Sequence, residues 1–342
     1  MSSQQAQPGK RIVTYGRSHV LQTISVTLLD TNPDGYWVIY IHGGAWRDPT
    51  IKSDSFDATS KILRSSPGLP ISGIASISYR LSAHPNHPQD ELETPAKEFR
   101  NAKHPDHIRD VEAALAFLQN TYNFGPRYIL VGHSCGATLA FQAVMGAVAS
   151  HSEQSFSGGA NDDGAGAEQV SMSPGPLPPK LSAQPAAIVG VAGIYDLRRL
   201  QDAHREIGAY REFIEGAFGN DVMLWDGVSP AQMVGSRGVE GGWKTGRLVV
   251  LAHSKDDGLV DEGQMLEMKE ALRGWEQKPA QIPVRELSTR ERRVQMLSLE
   301  GGHDEIWSQG EELARAIKYA FVELQKMGLA PEPKVLGGSS VA

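Results

Sequence analysis

The sequence predicts an α/β fold: a mainly parallel, doubly wound sheet with helices on both faces. Two observations carry that prediction. Short, nearly continuous apolar runs recur along the chain, as strands covered on both faces require, and segments of helical period alternate with them. A third observation sharpens it, because two of the runs lead straight into glycine-bearing loops. Tyr36–Ile41 runs into His42-Gly43-Gly44, and Tyr128–Val131 into Gly132.

In chain order, Ile24, Val26 and Leu28 alternate with Thr23, Ser25 and Thr27, the period of a half-buried strand. Asp30-Thr-Asn-Pro-Asp-Gly35 has the chemistry of a turn, since proline presets φ and Gly35 permits a positive one. The runs Tyr36–Ile41 and Ile74–Tyr79 supply the next strands. Ile108, Val111, Leu115 and Leu118 then recur at helical spacing, which predicts a helix over 106–120 with Asp106 capping its start. Tyr128–Val131 is a further strand, followed by a helical pattern over about 135–149. Strands are predicted again at Ala187–Val191, Leu248–Leu251 and Val294–Leu299, with a helix over 261–275 between the last two. Ile306, Leu313, Ile317, Phe321 and Leu324 mark one long closing helix.

Residues 152–184 break this rhythm. They are rich in Gly, Ser, Pro and Ala and hold too few large apolar groups to offset the entropy cost of ordering. A flexible surface insertion is the plainer reading, and a regulated lid is the functional alternative. The expected organisation is a disordered lead over 1–10, one α/β domain over 11–328 that carries the insertion, and a disordered tail over 329–342.

Composition narrows the function. With 342 residues, 40% hydrophobic and 21% charged, the chain can bury a large core and has the make-up of a soluble globular protein. A formal charge of -7, with no Lys/Arg-rich run to track a phosphate backbone, argues against a nucleic-acid partner. The first residues lack the apolar core of a secretory signal, and no stretch is built to span a bilayer. The one cysteine, Cys135, cannot form an intramolecular disulfide. These features predict a cytoplasmic, reducing setting with no membrane partner.

Four loops carry chemistry. Gly132-His133-Ser134-Cys135-Gly136 fits G-x-S-x-G, a pattern weak by itself but here set between a strand and a helix, as a nucleophile elbow requires. The turn is sharp enough to strain the serine, and larger residues at the glycine positions would collide. His42-Gly43-Gly44-Ala45-Trp46 follows a strand in the manner of the H-G-G-G loop, whose amides bind a developing oxyanion together with the amide of Cys135. His253-Ser-Lys-Asp256-Asp257-Gly-Leu-Val260 holds the acid, with D-x-x-V selecting Asp257 and Asp256 the competitor. Gly301-Gly302-His303-Asp304 holds the base. Of eleven histidines, His303 alone follows both elbow and acid, as the chain order Ser…Asp…His demands. His42, His133 and His253 read as structural. Cys135 is a competing thiol nucleophile, but the elbow lifts the preceding residue to its apex. The sequence shows no metal-binding motif of the H-E-x-x-H kind.

With these loops the chain takes the features of an α/β-hydrolase fold, and it resembles kynurenine formamidase of the metal-independent type, particularly its fungal forms. The resemblance rests on His42-Gly-Gly-Ala-Trp46-Arg-Asp-Pro49, Ser78-Tyr-Arg-Leu-Ser82, His104-Pro-Asp-His107, Gly132-His-Ser-Cys-Gly-Ala137 and Gly193-Ile-Tyr-Asp-Leu197, spread over residues 36–307. It implies Ser134, Asp257 and His303 as a triad, and Gly43, Gly44 and Cys135 as oxyanion donors. No metal or organic cofactor is implied, and the substrate is a small molecule, N-formyl-L-kynurenine. Trp46 is a candidate wall for its aromatic ring, with simple packing the alternative. A general carboxylesterase and a catalytically silent binding protein of the same fold remain rivals, and a homodimer stays open.

Overall fold

A computed structural model describes residues 9–29, 35–146, 181–282 and 289–331. Its strands are β1 (Arg11–Thr14), β2 (Thr23–Leu28), β3 (Tyr36–Ile41), β4 (Ile71–Ile77), β5 (Tyr128–His133), β6 (Ala187–Val191), β7 (Leu248–Ser254) and β8 (Arg293–Leu299). They form one sheet in the order β1-β2-β4-β3-β5-β6-β7-β8. Every neighbouring pair from β4 to β8 is parallel, while β1–β2 and β2–β4 are antiparallel. The expected mainly parallel sheet is present, with an antiparallel margin at one end. Strands β3 to β7 are buried along their whole length, which is why they read as unbroken apolar runs.

The helices are α1 (Asp57–Ser65), α2 (Asp106–Tyr122), α3 (Cys135–Gln142), α4 (Leu197–Ala203), α5 (Gly208–Phe218), α6 (Val222–Val228), α7 (Val239–Gly242), α8 (Glu262–Ala271), α9 (Arg273–Glu276), α10 (Glu305–Ser308) and α11 (Glu311–Lys326). They divide between the two faces. One apolar layer joins Val38, Tyr40, Val189 and Val250 to Phe56, Leu63, Ile306, Leu313 and Phe321, hence to α1, α10 and α11. The other joins Ile39, Ile41, Leu130 and Leu251 to Val111, Leu115, Leu139, Phe141, Met268 and Ile214, hence to α2, α3, α8 and α5. Alternate residues of one strand feed opposite layers, as the two-residue period of a strand dictates. Each fully buried Val, Ile, Leu or Phe contributes about 1.5–3 kcal/mol.

Some boundaries differ from expectation. Asp106 does not cap α2: Pro105 holds the cap position and Asp106 begins the helix one residue later. Its carboxylate favours the helix N-terminus through charge and lies 3.3 Å from Arg80. The closing helix is two helices, because Gly310 turns the chain at a φ of 87° between α10 and α11. The helix expected over 135–149 stops at Gln142, and its last positions, 147–149, lie outside the described residues, as does the turn over 30–35 except for Gly35. Of the lead, the insertion and the tail, residues 1–8, 152–180 and 332–342 lie outside them too.

Candidate active site

Four loops at the carboxyl ends of β3, β5, β7 and β8 meet at one place, the usual location of ligands in open α/β sheets. Strand β5 ends at His133, and α3 begins at Cys135. Ser134 alone makes the turn, at φ 54° and ψ −125°. A side-chain residue held at positive φ costs about 1–3 kcal/mol, and the surrounding contacts impose it. The Ser134 amide donates to Val191 O at 2.9 Å. A Cβ on Gly132 would lie 2.3 Å from Gly136 O, so the chain can double back only over a glycine.

The loop after β3 presses against this turn. A Cβ on Gly43 would sit 3.0 Å from Ser134 Cβ and 2.8 Å from His133 Nδ1, which leaves no room for a side chain there. The next three residues all have positive φ: Gly44 at 93°, Ala45 at 49° and Trp46 at 59°. Among the described residues the amides of Gly43 and Gly44 find no protein acceptor, whereas the Trp46 amide donates to Cys135 Sγ at 3.3 Å. Trp46 corrects an expectation. Its indole has no exposed surface and packs edge-on to Phe218 with centroids 4.9 Å apart, so it belongs to the core and lines no open wall.

The acid loop selects between two neighbours. Asp257 Oδ1 accepts the amides of Leu259 and Val260 at 2.9 Å each, while Oδ2 accepts His303 Nδ1–H at 2.7 Å. Burial acts to raise the Asp257 carboxyl, but the His303 hydrogen bond and the two amides outweigh it and hold it below its ordinary value. Asp256 is exposed. An ionised Asp257 fixes the His303 tautomer: Nδ1 carries the proton and Nε2 keeps its lone pair.

His303 is buried in the loop after β8 and is braced by His133. His133 Nε2 donates to His303 O at 3.1 Å, and the two ring centroids lie 4.6 Å apart. No hydrogen bond joins Ser134 Oγ to His303 among the described residues. Such contacts are often long before substrate is bound. Burial drives the pKa of His133 well below its ordinary value and that of His42 down to about 4, so both are neutral, and burial likewise lowers His253. Burial pushes the Cys135 thiol up to about 11 despite several donors around it, which argues against a thiolate nucleophile.

Two residues of this region were not singled out by sequence. Tyr79 donates to His42 O at 3.0 Å, and Tyr210 on α5 donates to Leu259 O at 2.6 Å, beside Asp257. Tyr79 stood inside a recognised motif without a role. Tyr210 opens the series Tyr210, Phe213, Ile214, Ala217, Phe218, whose spacing is that of a buried helix face. An open charged groove lined by Asp196, Arg198, Arg199, Asp202 and Ala203 contains none of the residues of the four loops. Among the described residues, no group of three or more His, Cys, Asp or Glu side chains is placed to hold a metal ion, and no helix is long and apolar enough to cross a membrane.

Solved structures share this fold. Esterase B from Lactobacillus rhamnosis aligns with a TM-score of 0.58 at 15% identity, covering 94% of this chain and 86% of that one. A thermophilic esterase of Thermogutta terrifontis aligns at 0.56 and 15%, covering 96% of both. Sequence relatives are nearer. The kynurenine formamidase-like hydrolase fscH of Fusarium equiseti is 37% identical over 299 residues, 86% of each chain. Kynurenine formamidase avaC of Aspergillus versicolor is 35% identical over 306 residues, 84% of this chain and 89% of that one. The profile of the Alpha/beta hydrolase family matches residues 38–316. An elbow, an acid–histidine pair and an eight-stranded sheet thus coincide with a family match over most of the sequence, and the chain belongs to the alpha/beta hydrolase family, among its fungal kynurenine formamidase-like hydrolases.

Proposed function

We propose that this hydrolase cleaves N-formyl-L-kynurenine to L-kynurenine and formate, with Ser134 as nucleophile, His303 as general base and Asp257 orienting the histidine. The observation that carries the mechanism is the 2.7 Å Asp257–His303 hydrogen bond beside a serine held at positive φ. The substrate rests on the likeness to fscH and avaC.

Ser134 Oγ attacks the formyl carbon while His303 Nε2 takes its proton. The oxygen that becomes negative is received by the amides of Gly43, Gly44 and Cys135. Protonated His303 then gives its proton to the departing aryl amine, and water, deprotonated by the same nitrogen, hydrolyses the formyl-enzyme. The aryl ring delocalises the nitrogen lone pair, which makes this amine a better leaving group than an alkyl amine. Asp257 stays ionised throughout and stabilises the imidazolium.

The esterase structures favour a second reading, a general carboxylesterase, and one experiment separates the two. kcat/KM is measured for N-formyl-L-kynurenine, N-acetyl-L-kynurenine and p-nitrophenyl acetate, each with and without EDTA. The formamide should be preferred over the acetamide by more than the roughly 1–3 kcal/mol that one methylene contributes in an apolar pocket. Chelator should change nothing, because every group in the proposed mechanism is a protein group. Esters turned over orders of magnitude faster than the formamide would make this chain a general esterase.

A further inference from the structure

The motif Ser78-Tyr79-Arg80-Leu81-Ser82 follows β4, and none of its residues enters the reaction just described. Yet Tyr79 lies fully buried beneath the loop 42–46. Its ring stacks on the His42 ring with centroids 4.4 Å apart and planes 11° from parallel. Its hydroxyl donates to His42 O at 3.0 Å and lies 3.4 Å from Gly43 O. The same hydroxyl lies 3.6 Å from Cys135 Sγ. With its own hydrogen committed to the carbonyl, Tyr79 accepts the thiol hydrogen, so donors run in series from Cys135 to Tyr79 to His42. The sulfur in turn accepts the Trp46 amide at 3.3 Å.

These contacts fall on a stretch of backbone that does not hold its shape unaided. Ala45 and Trp46 both carry side chains at positive φ, a conformation such residues seldom adopt. The amide bound by sulfur is that of Trp46, one of those two residues. The two carbonyls near the Tyr79 hydroxyl flank the Gly43 position, against which Ser134 packs.

We propose that the side chains of Tyr79 and Cys135 form a latch that holds the loop 42–46 in its strained conformation and so aims the Gly43 and Gly44 amides at the oxyanion. Both act as positioning residues, and neither touches the reacting atoms through its side chain. The proposal rests on the oxyanion role given above to that loop. It also assigns a use to the cysteine of the elbow: a large, soft atom that reaches the Trp46 amide and the Tyr79 hydroxyl at once from inside the core.

The test compares Tyr79→Phe, Cys135→Ala, Cys135→Ser and the Tyr79→Phe/Cys135→Ala double variant with the parent. kcat and KM are read on p-nitrophenyl acetate, and Ki is read for an aryl trifluoromethyl ketone, whose hemiketal with Ser134 carries the oxyanion. Each single variant should lose about 10- to 100-fold in kcat, with KM changed less than about twofold. The ketone should weaken by the same factor as kcat. The double variant should lose little more than either single one, because both cut one series of contacts. Cys135→Ser should recover part of the loss through its hydroxyl acceptor. Should Tyr79→Phe fail to fold, the Cys135→Ala and Cys135→Ser pair carries the same comparison. Unchanged kcat and Ki in folded variants overturns the latch. So does a fall in kcat without a matching fall in ketone affinity, or a double variant whose losses simply multiply. Fluorophosphonate labelling of Ser134 in the parent, read by mass spectrometry, separates failure of the latch from failure of the nucleophile assignment. The ester probe makes the result independent of the natural acyl group.

Discussion

Asp256 and Asp257 share a side chain and a loop and differ in what their oxygens reach. The D-x-x-V register has a physical basis in the fold: Asp257 closes the turn by accepting the Val260 amide three residues on, which leaves its second oxygen for His303. Asp257→Asn should therefore lower kcat by on the order of 10⁴, the cost of a misoriented histidine in the serine-protease triad. Asp256→Asn should stay within a few-fold of the parent. Steady-state kinetics on the formamide decide, and the reverse ranking would transfer the orienting role to Asp256. That Asp257 and His303 meet was legible because the proposed acid, base and nucleophile sit in glycine-marked loops in a fixed chain order. The contacts of Tyr79 were not, since a hydroxyl meeting a carbonyl 37 positions away leaves no local pattern. Away from the site, Glu112 is half-buried on α2, and its Oε2 is buried with no hydrogen-bond partner among the described residues. Burial pushes its pKa up to about 7, against the pull of Arg109. The unfolded chain releases that proton near the ordinary carboxyl value, so ionising Glu112 opposes folding. The cost is absent below the unfolded value, grows as pH rises and is complete above about pH 7. Glu112→Gln should thus stabilise the protein at pH 8 by on the order of 1–2 kcal/mol, and should change little at pH 4. Urea midpoints at the two pH values test it, and an equal gain at both would remove titration as the cause.

Among the elements, β3 and β5 to β7 were readable because they are buried on both faces, and β8, a partly buried strand at the sheet margin, through its apolar positions Val294, Met296, Leu297 and Leu299. Strand β1 was not, for it is an edge strand of four residues, three of them exposed. Three of the helices between β6 and β7 escaped for a different reason. Helices α4, α6 and α7 have seven residues or fewer, too short for a period to emerge, and Asp196 and Asp221 cap the first two from loop positions. What anchors α2 to the sheet is also polar and hence invisible to an apolar pattern. The buried Asp110 carboxylate accepts Arg80 N at 2.9 Å, Arg80 Nε at 2.9 Å, Arg80 Nη2 at 3.0 Å and Gln22 Nε2 at 2.9 Å. It ties the approach to β2 and the exit of β4 to one helix. Asp110→Ala leaves a guanidinium and an amide facing a void and should cost about 3 kcal/mol, with Asp110→Asn intermediate. Urea unfolding measures both. A loss under about 1 kcal/mol would mean that Arg80 transfers its pairing to Asp106, already 3.3 Å away.

For the whole molecule, the strand order gathers residues far apart in sequence at one rim of the sheet. Neighbouring β3 and β5 bring Gly43 beside Ser134, and neighbouring β7 and β8 bring Asp257 beside His303. That β3 lies between β4 and β5, so that Tyr79 can rise beneath the loop, follows from pairing preferences spread over the sheet, which single-segment patterns do not encode. The lone sulfhydryl of this chain has a further consequence. Cys135 has no exposed surface, so a disulfide reagent such as Ellman's can reach it only when the domain opens. The parent protein therefore carries its own clock for breathing motions, with no engineered label. In denaturant it should react with one equivalent at the speed of a free thiol. Folded, it should react slower by a factor on the order of 10³ or more, the reciprocal of the fraction of molecules open at any instant. Phosphonylating Ser134 would stiffen the neighbouring turn, and the clock should then run slower still; a folded protein that reacted at the free-thiol speed would reveal a core far looser than its packing implies.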